Sequence, residues 1–205
     1  MAHRLRVDQG SQARSRAVFE RVVLAAEGAL DGRDWDTLTV EDICLAADVS
    51  PSSFYRRFST KDALLDEVHE RWLRSRRQAA MLIAEGQFWS EFTQDEVLNL
   101  ICQAYIADRA QSSARSLSMF RIQVSHPRLA SARQRTDREI LAAIAKPLAV
   151  FVDRDETDVA FALLTLSAAV LAAVQPPSPF IEILGWTEDQ LAERYVVVFR
   201  RMLDL

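Results

Sequence analysis

Glycine and proline are scarce in this chain, whose 205 residues include only 5 Gly and 6 Pro. Because these two residues interrupt helices and mark turns, their scarcity predicts a protein dominated by α-helices. Cysteine is nearly absent as well, and Cys44 and Cys102 fit neither the spacing of a metal site nor the number needed for a disulfide framework. We therefore expect reduced thiols, a cytoplasmic location, and no metal or other cofactor.

Long hydrophobic runs are also missing. The longest, residues 159–174, is shorter than the ~20 residues that span a bilayer, and it includes Thr165 and Ser167. The first ten residues, MAHRLRVDQG, lack the apolar segment of a secretory signal. The sequence predicts neither a membrane span nor a signal peptide, and the long apolar run is interpreted as a buried helix.

Residues suited to catalysis are few. The only histidines are His3, His69 and His126, and we expect His69 on an exposed helix face. Neither a GxSxG nucleophile turn, a glycine-rich phosphate loop nor an HExxH zinc motif is present. The sequence therefore predicts that the protein is not an enzyme.

Net charge alone does not indicate a nucleic-acid partner, because the chain carries a formal charge of −4 and nucleic-acid-binding domains are often strongly basic. The local distribution is more informative. Residues 1–16 contain Arg4, Arg6, Arg14 and Arg16 but only one acid, Asp8. These residues form a basic arm, which could contact phosphates or could be a solvated, disordered terminus.

Two short helices separated by a tight turn are predicted after residue 38. Thr39 is suited to cap the first helix, with Asp42 three residues later as in a capping box. Asp48 lies where this helix must end and can adopt the left-handed conformation required there. Ser50 then caps a new helix whose first position is Pro51, where the missing N–H costs nothing. This arrangement predicts a helix-turn-helix.

The second short helix has two distinct faces. Phe54 and Phe58 are four residues apart, so they should share the buried face, whereas the other side chains point outward. Small residues near the start of a helix allow close approach to base edges, and Tyr and Arg can reach phosphates. This face suits the major groove of DNA, with an ordinary solvated helix face as the alternative. The outward residues are Ser52, Ser53, Tyr55, Arg56 and Arg57.

The stretch TVEDICLAADVSPSSFYRRFSTKDALL, residues 39–65, resembles the DNA-binding signature of the TetR family of transcriptional repressors. The resemblance rests on the threonine-capped helix, the Val-Ser turn, the Tyr55 and Phe58 spacing, and the Lys-Asp-Ala-Leu segment that begins at Lys61. Asp48 replaces the usual turn glycine, Ser52 the usual Gly or Ala, and Pro51 a usual polar residue.

The resemblance implies an all-α fold with two domains. Residues 1–59 would form the helix-turn-helix DNA-binding domain, and residues 60–205 a helical effector-binding and dimerisation domain. A homodimer would bind a palindromic double-stranded operator and release it when a small molecule binds. The implied DNA contacts are Thr39 and Lys61 with phosphates, Ser50, Pro51, Ser52 and Ser53 near the bases, Tyr55 and Arg56 with the backbone, and Arg57 as a further candidate.

Apolar periodicity predicts the remaining helices at about 17–30, 60–85, 93–110, 114–124, 127–152, 156–174 and 187–204. The last two are interpreted as the dimer interface, because the first of them is apolar nearly all round and the second carries an apolar stripe. The alternative is that both complete a monomeric core. The interface candidates are Ala160, Ser167, Ala168, Ala172, Leu191, Tyr195, Val198, Phe199 and Met202.

An effector pocket is implied by the resemblance, and apolar and aromatic side chains in the middle helices are its candidate lining. A hydrophobic or aromatic ligand would suit such a lining, although these residues could equally be plain core. The candidates are Trp72, Phe88, Trp89, Phe92, Tyr105, Met119, Phe120 and Gln123. A second function remains open, namely a dimeric helical ligand-binding or protein-interaction module that does not bind DNA.

Overall fold

The computed structural model describes residues 2–84, 89, 91–111, 113–174 and 183–205, with the side chains of 2–11, 107–111, 113–117, 120, 171 and 174 left aside. Within these ranges all regular structure is helical, which confirms the predicted all-α class. The helices are α1 (Ala2–Ala29), α2 (Val40–Ala47), α3 (Pro51–Tyr55), α4 (Lys61–Ala84), α5 (Gln94–Gln111), α6 (Ser113–Ser125), α7 (Pro127–Val152), α8 (Glu156–Val174) and α9 (Glu188–Met202).

The predicted helix bounds agree closely with the structure. Helices α7 and α8 begin and end at the predicted residues, and α4, α5, α6 and α9 do so within two residues. The exception is α1, which begins at Ala2 rather than near residue 17, so the basic arm continues the helix. Arginine and alanine are good helix formers, and the absence of an apolar stripe in the arm hid this extension.

The chain divides into two compact units. Unit 1 comprises Met1–Trp72 and Ser118–Leu129, and unit 2 comprises Leu73–Leu117 and Ala130–Leu205. Helices α4, α6 and α7 each contribute residues to both. The functional division at residues 59 and 60 stays a prediction.

Unit 1 has its own apolar core. Helix α1 packs against α2 and α3, and α4 and α6 add side chains to the same cluster. Cys44 is buried in it. The buried members are Val22, Val23, Ala26, Leu30, Trp35, Leu38, Ile43, Cys44, Ala47, Phe54, Phe58, Leu64, Leu65, Val68, Met119, Ile122 and Leu129.

The prediction that His69 is exposed is wrong. Its side chain is almost completely buried, and its Nε2 lies 3.1 Å from Nε2 of Gln123 on α6. Since the Gln123 amide nitrogen can only donate, His69 Nε2 accepts in this pair. The charged neighbours of His69 in sequence suggested a solvated face, but its partner lies 54 residues away and could not be identified from local spacing.

Unit 2 is built around α5, which packs against both α8 and α9. Its core includes Cys102, and burial raises the pKa of this thiol to about 12, so the thiol stays protonated and unreactive at neutral pH. No helix in the described part of the chain is long and apolar enough to cross a membrane.

Candidate DNA-binding surface

Helix α2 starts with the capping box that the sequence predicts. The Asp42 N–H donates to Thr39 Oγ1 at 3.1 Å, and the Thr39 N–H donates to Asp42 Oδ2 at 3.1 Å. Arg33 adds an ion pair to the same carboxylate at 3.0 Å. The Thr39 backbone N–H, then the Thr39 side chain and the Arg33 guanidinium, lower the pKa of Asp42 to about 2. Because these contacts hold the start of α2 in place, they also help to position the turn that follows α2.

The turn between α2 and α3 depends on Asp48. This residue adopts the left-handed conformation, with φ 51° and ψ 56°, and its N–H donates to carbonyls at the end of α2. The Val49 N–H donates to the Cys44 carbonyl at 3.0 Å, and the Val49 side chain packs against the unit 1 core. Asp48 thus does what the family's usual glycine would do, which confirms the sequence interpretation.

Helix α3 is short and is held from its buried side. Ser50 caps it by accepting from the Ser53 N–H, and Pro51 occupies its first position. Phe54 and Phe58 are both buried, and the Phe58 ring stacks on Phe19 of α1 at a centroid distance of 5.2 Å. A helix of five residues has little intrinsic stability, so these aromatic contacts must fix its orientation.

The opposite side of α3 faces solvent. Ser52 and Arg56 are exposed, and 54% of the Tyr55 surface is accessible. The Ser50 and Ser52 hydroxyls lie 3.0 Å apart, and Arg56 donates to Ser53 Oγ at 3.0 Å. The helix therefore presents small hydroxyls at its start and a phenol and a guanidinium at its end.

Arg57 is arranged differently from Arg56. Its Nη1 donates to the Ser53 carbonyl at 2.7 Å, and its Nε and Nη2 donate to the Ser15 carbonyl and Oγ at 3.1 and 3.3 Å. The guanidinium therefore connects α1 to α3. This geometry gives Arg57 a positioning role.

Lys61, predicted to contact phosphate, has a partner within the chain. Its Nζ donates to the Trp35 carbonyl at 2.5 Å and lies 4.9 Å from the centre of the Trp35 ring. Desolvation lowers the pKa of Lys61, against the opposing effect of Asp36 and Asp62. An ammonium group has three donors, so this contact leaves Lys61 able to donate to a phosphate as well.

All nine predicted DNA-contact residues lie in unit 1. Six of them are exposed, and Ser53, Arg57 and Lys61 are half-buried. The contacts described above account for the partial burial of Arg57 and Lys61. Their contact with DNA stays a prediction. The set is Thr39, Ser50, Pro51, Ser52, Ser53, Tyr55, Arg56, Arg57 and Lys61.

Unit 2 contains a cavity of about 370 Å³. Of the predicted effector residues, only Tyr105 is among its lining residues, while Trp89 packs on Phe151 and Phe92 packs on the unit 2 core. Trp72, Met119 and Gln123 belong to unit 1. Phe88 and the Phe120 side chain lie outside the described residues.

Three charged residues of this cavity were missed by sequence reasoning. Arg76, Arg133 and Asp137 line it together. The spacing of Arg133 and Asp137 at i and i+4 predicts an ion pair on α7, but Arg76 is 61 residues from Asp137 and nothing in the sequence links them.

The predicted dimer residues divide between the interior and the surface of unit 2. Leu191 and Phe199 are buried, the Tyr195 hydroxyl donates to the Ala169 carbonyl at 2.9 Å, and Met202 packs on the core. Ala160 and Ser167 are half-buried, whereas Ala168, Ala172 and Val198 are exposed. The large apolar side chains that are exposed among the described residues of α8 and α9 are Phe161, Leu164, Val197 and Val198, and we call them the outer apolar face.

Comparison with known proteins agrees with this geometry. Residues 23–68 match the family described as bacterial regulatory proteins, tetR family. A search of curated proteins finds no significant match. Among solved structures, a protein assigned to the TetR family from Mesorhizobium loti aligns with a TM-score of 0.70 at 18% identity, over 92% of this chain and 97% of the other.

Two further structures align over similar lengths. A TetR transcription regulator from Haloarcula marismortui has a TM-score of 0.63 at 17% identity, over 88% of this chain and 97% of the other. GusR of Salmonella enterica has a TM-score of 0.63 at 16% identity, over 92% and 96% of the two chains. The chain therefore has the fold of TetR-family transcriptional regulators, with a TetR-family N-terminal domain at residues 23–68.

Proposed function

We propose that the protein is a homodimeric transcriptional repressor that binds a palindromic operator through α2 and α3 and releases it when a small molecule binds. The observation that carries the proposal is the solvent-facing side of α3, where Ser52, Tyr55 and Arg56 project from a helix fixed by Phe54 and Phe58. Hydroxyl, phenol and guanidinium groups are donors to phosphate oxygens and base edges.

A dimer follows from the size of α3. Five residues contact only a few base pairs, so useful specificity calls for two copies on half-sites about one helical turn apart. The outer apolar face supports the pairing, since its α8 members, Phe161 and Leu164, are 67% and 55% exposed. Large exposed apolar groups that lie close together mark association surfaces.

Release is proposed to act through α4. This helix contributes Lys61 at its start, and it contributes Arg76, Ala80 and Ile83 to the cavity wall. A ligand that favours one position of α4 would change the separation of the two recognition helices. It can do so only if it binds the non-DNA-bound arrangement more tightly.

Selection of bound DNA from a random pool tests the proposal. We expect the wild type to enrich a palindrome, and Arg56→Ala and Tyr55→Ala to lose it while remaining folded. Arg138→Ala is the matched control, because Arg138 is exposed on α7, outside unit 1, and donates to the carbonyl of Gln134 on its own helix.

The dependence of binding on salt separates the proposal from a ligand-binding module that has lost DNA affinity. Phosphate contacts release counterions, so affinity should fall about 0.9 log units per contact for each tenfold increase in salt. A folded dimer that enriches no sequence at low salt would support the module instead, a reading favoured by the balanced charge of residues 1–77.

A further inference from the structure

The first half of α1 extends beyond the core of unit 1. Helix α1 runs from Ala2 to Ala29, but among its described side chains the first that packs in this core is Phe19. Residues 12–17 are all exposed. At 1.5 Å per residue, residues 2–15 form a helix roughly 20 Å long, which is the length of about six base pairs of DNA.

The basic arm has the composition of a segment that binds an anionic surface. It contains four arginines and one acid, whereas residues 17–205 contain 21 basic and 28 acidic residues. Leu5 and Val7 are two positions apart, a spacing that gives no apolar stripe on a helix. A helix of this length without a packed face has little stability of its own. A negatively charged partner would stabilise it by attracting its arginines.

The end of the arm that joins the core is fixed beside α3. Arg57 Nε and Nη2 donate to the Ser15 carbonyl and Oγ at 3.1 and 3.3 Å. Nη1 of the same guanidinium donates to the Ser53 carbonyl of α3 at 2.7 Å. Because α3 is the helix proposed to contact DNA, the arm begins next to the duplex in the proposed complex.

Arg16 places a cation at this junction. Its side chain is exposed, and in the part of the chain that the structure describes its guanidinium makes no hydrogen bond, ion pair or ring contact. A guanidinium has five N–H donors in a planar fork that matches a phosphate group. Arg16 can therefore bind an external phosphate without breaking a contact within the protein.

We propose that the basic arm binds the phosphate backbone of double-stranded DNA beside the half-site that α3 contacts, through Arg4, Arg6 and Arg16. The proposal rests on the proposed function for its setting and extends the DNA-binding surface beyond α2 and α3. Phosphate contacts carry no sequence information. The arm therefore adds affinity for any duplex and leaves the choice of operator to α3.

Affinity for two duplexes tests this proposal, namely the selected operator and a scrambled duplex of the same length and composition. The full-length variant carries Arg4→Gln, Arg6→Gln and Arg16→Gln together, and Arg14 is retained because it has an interaction within the chain. Glutamine is as good a helix former as arginine, and circular dichroism checks that the variant is folded. We expect affinity for both duplexes to fall by the same factor, ~10-fold or more. The slope of log affinity against log salt should decrease by about 2, since a dimer that loses one contact per arm loses two.

Two single variants serve as controls. Arg138→Gln, exposed on α7 outside unit 1, should change neither affinity nor slope. Asp8→Asn removes the one acid of the arm and should tighten binding to both duplexes. A triple variant that binds both duplexes as tightly as the wild type would overturn the proposal and assign the arm to solvent. A loss confined to the operator would also overturn it, because the arm would then read sequence rather than phosphates.

The arm and the proposed function can fail separately. Operator binding that is unaffected in the triple variant would refute only the arm. A wild type that enriches no palindrome but binds the scrambled duplex, with an affinity that depends on the arm, would refute the operator-specific repressor and keep the arm. Binding to neither duplex at low salt would refute both.

Discussion

Arg56 and Arg57 are adjacent in sequence but differ in what they contact. Arg57 connects the Ser15 and Ser53 backbones, whereas Arg56 contacts only Ser53 Oγ among the hydrogen bonds described. The sequence pattern predicted that both arginines face DNA. The contact of Arg57 with Ser15 could not be predicted, because the two residues are 42 positions apart and a tertiary contact of that kind leaves no local pattern.

Replacing each arginine by alanine should show that Arg57 contributes mainly to stability and Arg56 mainly to DNA binding. Arg57→Ala removes three hydrogen bonds and should lower the free energy of unfolding by about 1–3 kcal/mol, since such bonds contribute about 1 kcal/mol each and are not additive. Arg56→Ala should change it by less than about 0.5 kcal/mol but reduce the salt dependence of operator affinity by about one contact. Urea denaturation and DNA titration at several salt concentrations provide the two readouts, and equal destabilisation by both variants would contradict this division.

Asp42 should make the stability of the protein pH-dependent in acid. Its folded pKa of about 2 lies below its ordinary value of 3.8, so its ionised form favours the folded state. This contribution is complete above about pH 4 and is lost as the pH falls from about 4 to 2.

The Asp42→Asn variant tests this contribution. Wild type should be more stable than the variant at pH 6, and the difference in melting temperature should shrink as the pH falls toward 2. A difference that stays constant over that range would show that the carboxylate charge has no part in the cap.

At the level of elements, the helix-turn-helix depends on one backbone conformation. Asp48 supplies the left-handed residue at the end of α2, and its side chain is exposed, 3.5 Å from Arg21. The left-handed conformation is energetically unfavourable for a residue with a Cβ. It is less unfavourable for Asp than for Ala, because the Asp side chain can hydrogen-bond locally.

Substitutions at Asp48 should therefore follow backbone preference. Asp48→Ala should lower the free energy of unfolding by about 1 kcal/mol, whereas Asp48→Gly should change it by less than about 0.5 kcal/mol because relief of strain offsets the larger entropy of the unfolded chain. Chemical denaturation measures both. If Ala were tolerated as well as Gly, the turn would have to adopt another conformation.

Most elements could be predicted because their boundaries are local. Thr39, Ser50 and Thr187 cap α2, α3 and α9, and Pro127 begins α7. The cavity could not be predicted in the same way, since its charged residues come from α4 and α7 and only folding brings them together. Aromatic residues were a poor guide to it because most of them fill the two cores.

At the level of the whole molecule, the outer apolar face should determine the oligomeric state. Phe161→Asp would place a charge among exposed apolar groups of α8 and α9, and we expect it to convert a dimer into monomers without loss of helical circular dichroism. Operator affinity should then fall at least ~100-fold, because the two half-sites would be bound independently.

Analytical ultracentrifugation measures the oligomeric state of the wild type and of the Phe161→Asp variant directly. Val150→Asp is the control, because Val150 is 80% exposed on α7, outside the outer apolar face. A wild type that sediments as a monomer at all concentrations would assign these side chains another role.

Helix α8 contributes Leu164 and Ala168 to the cavity wall, and both side chains are also exposed to solvent. If a second copy of α8 covers them, subunit association and ligand binding become linked equilibria. The factor by which the ligand tightens the dimer must then equal the factor by which dimerisation tightens the ligand. A cell that makes few copies of the protein would respond to a different effector concentration from one that makes many.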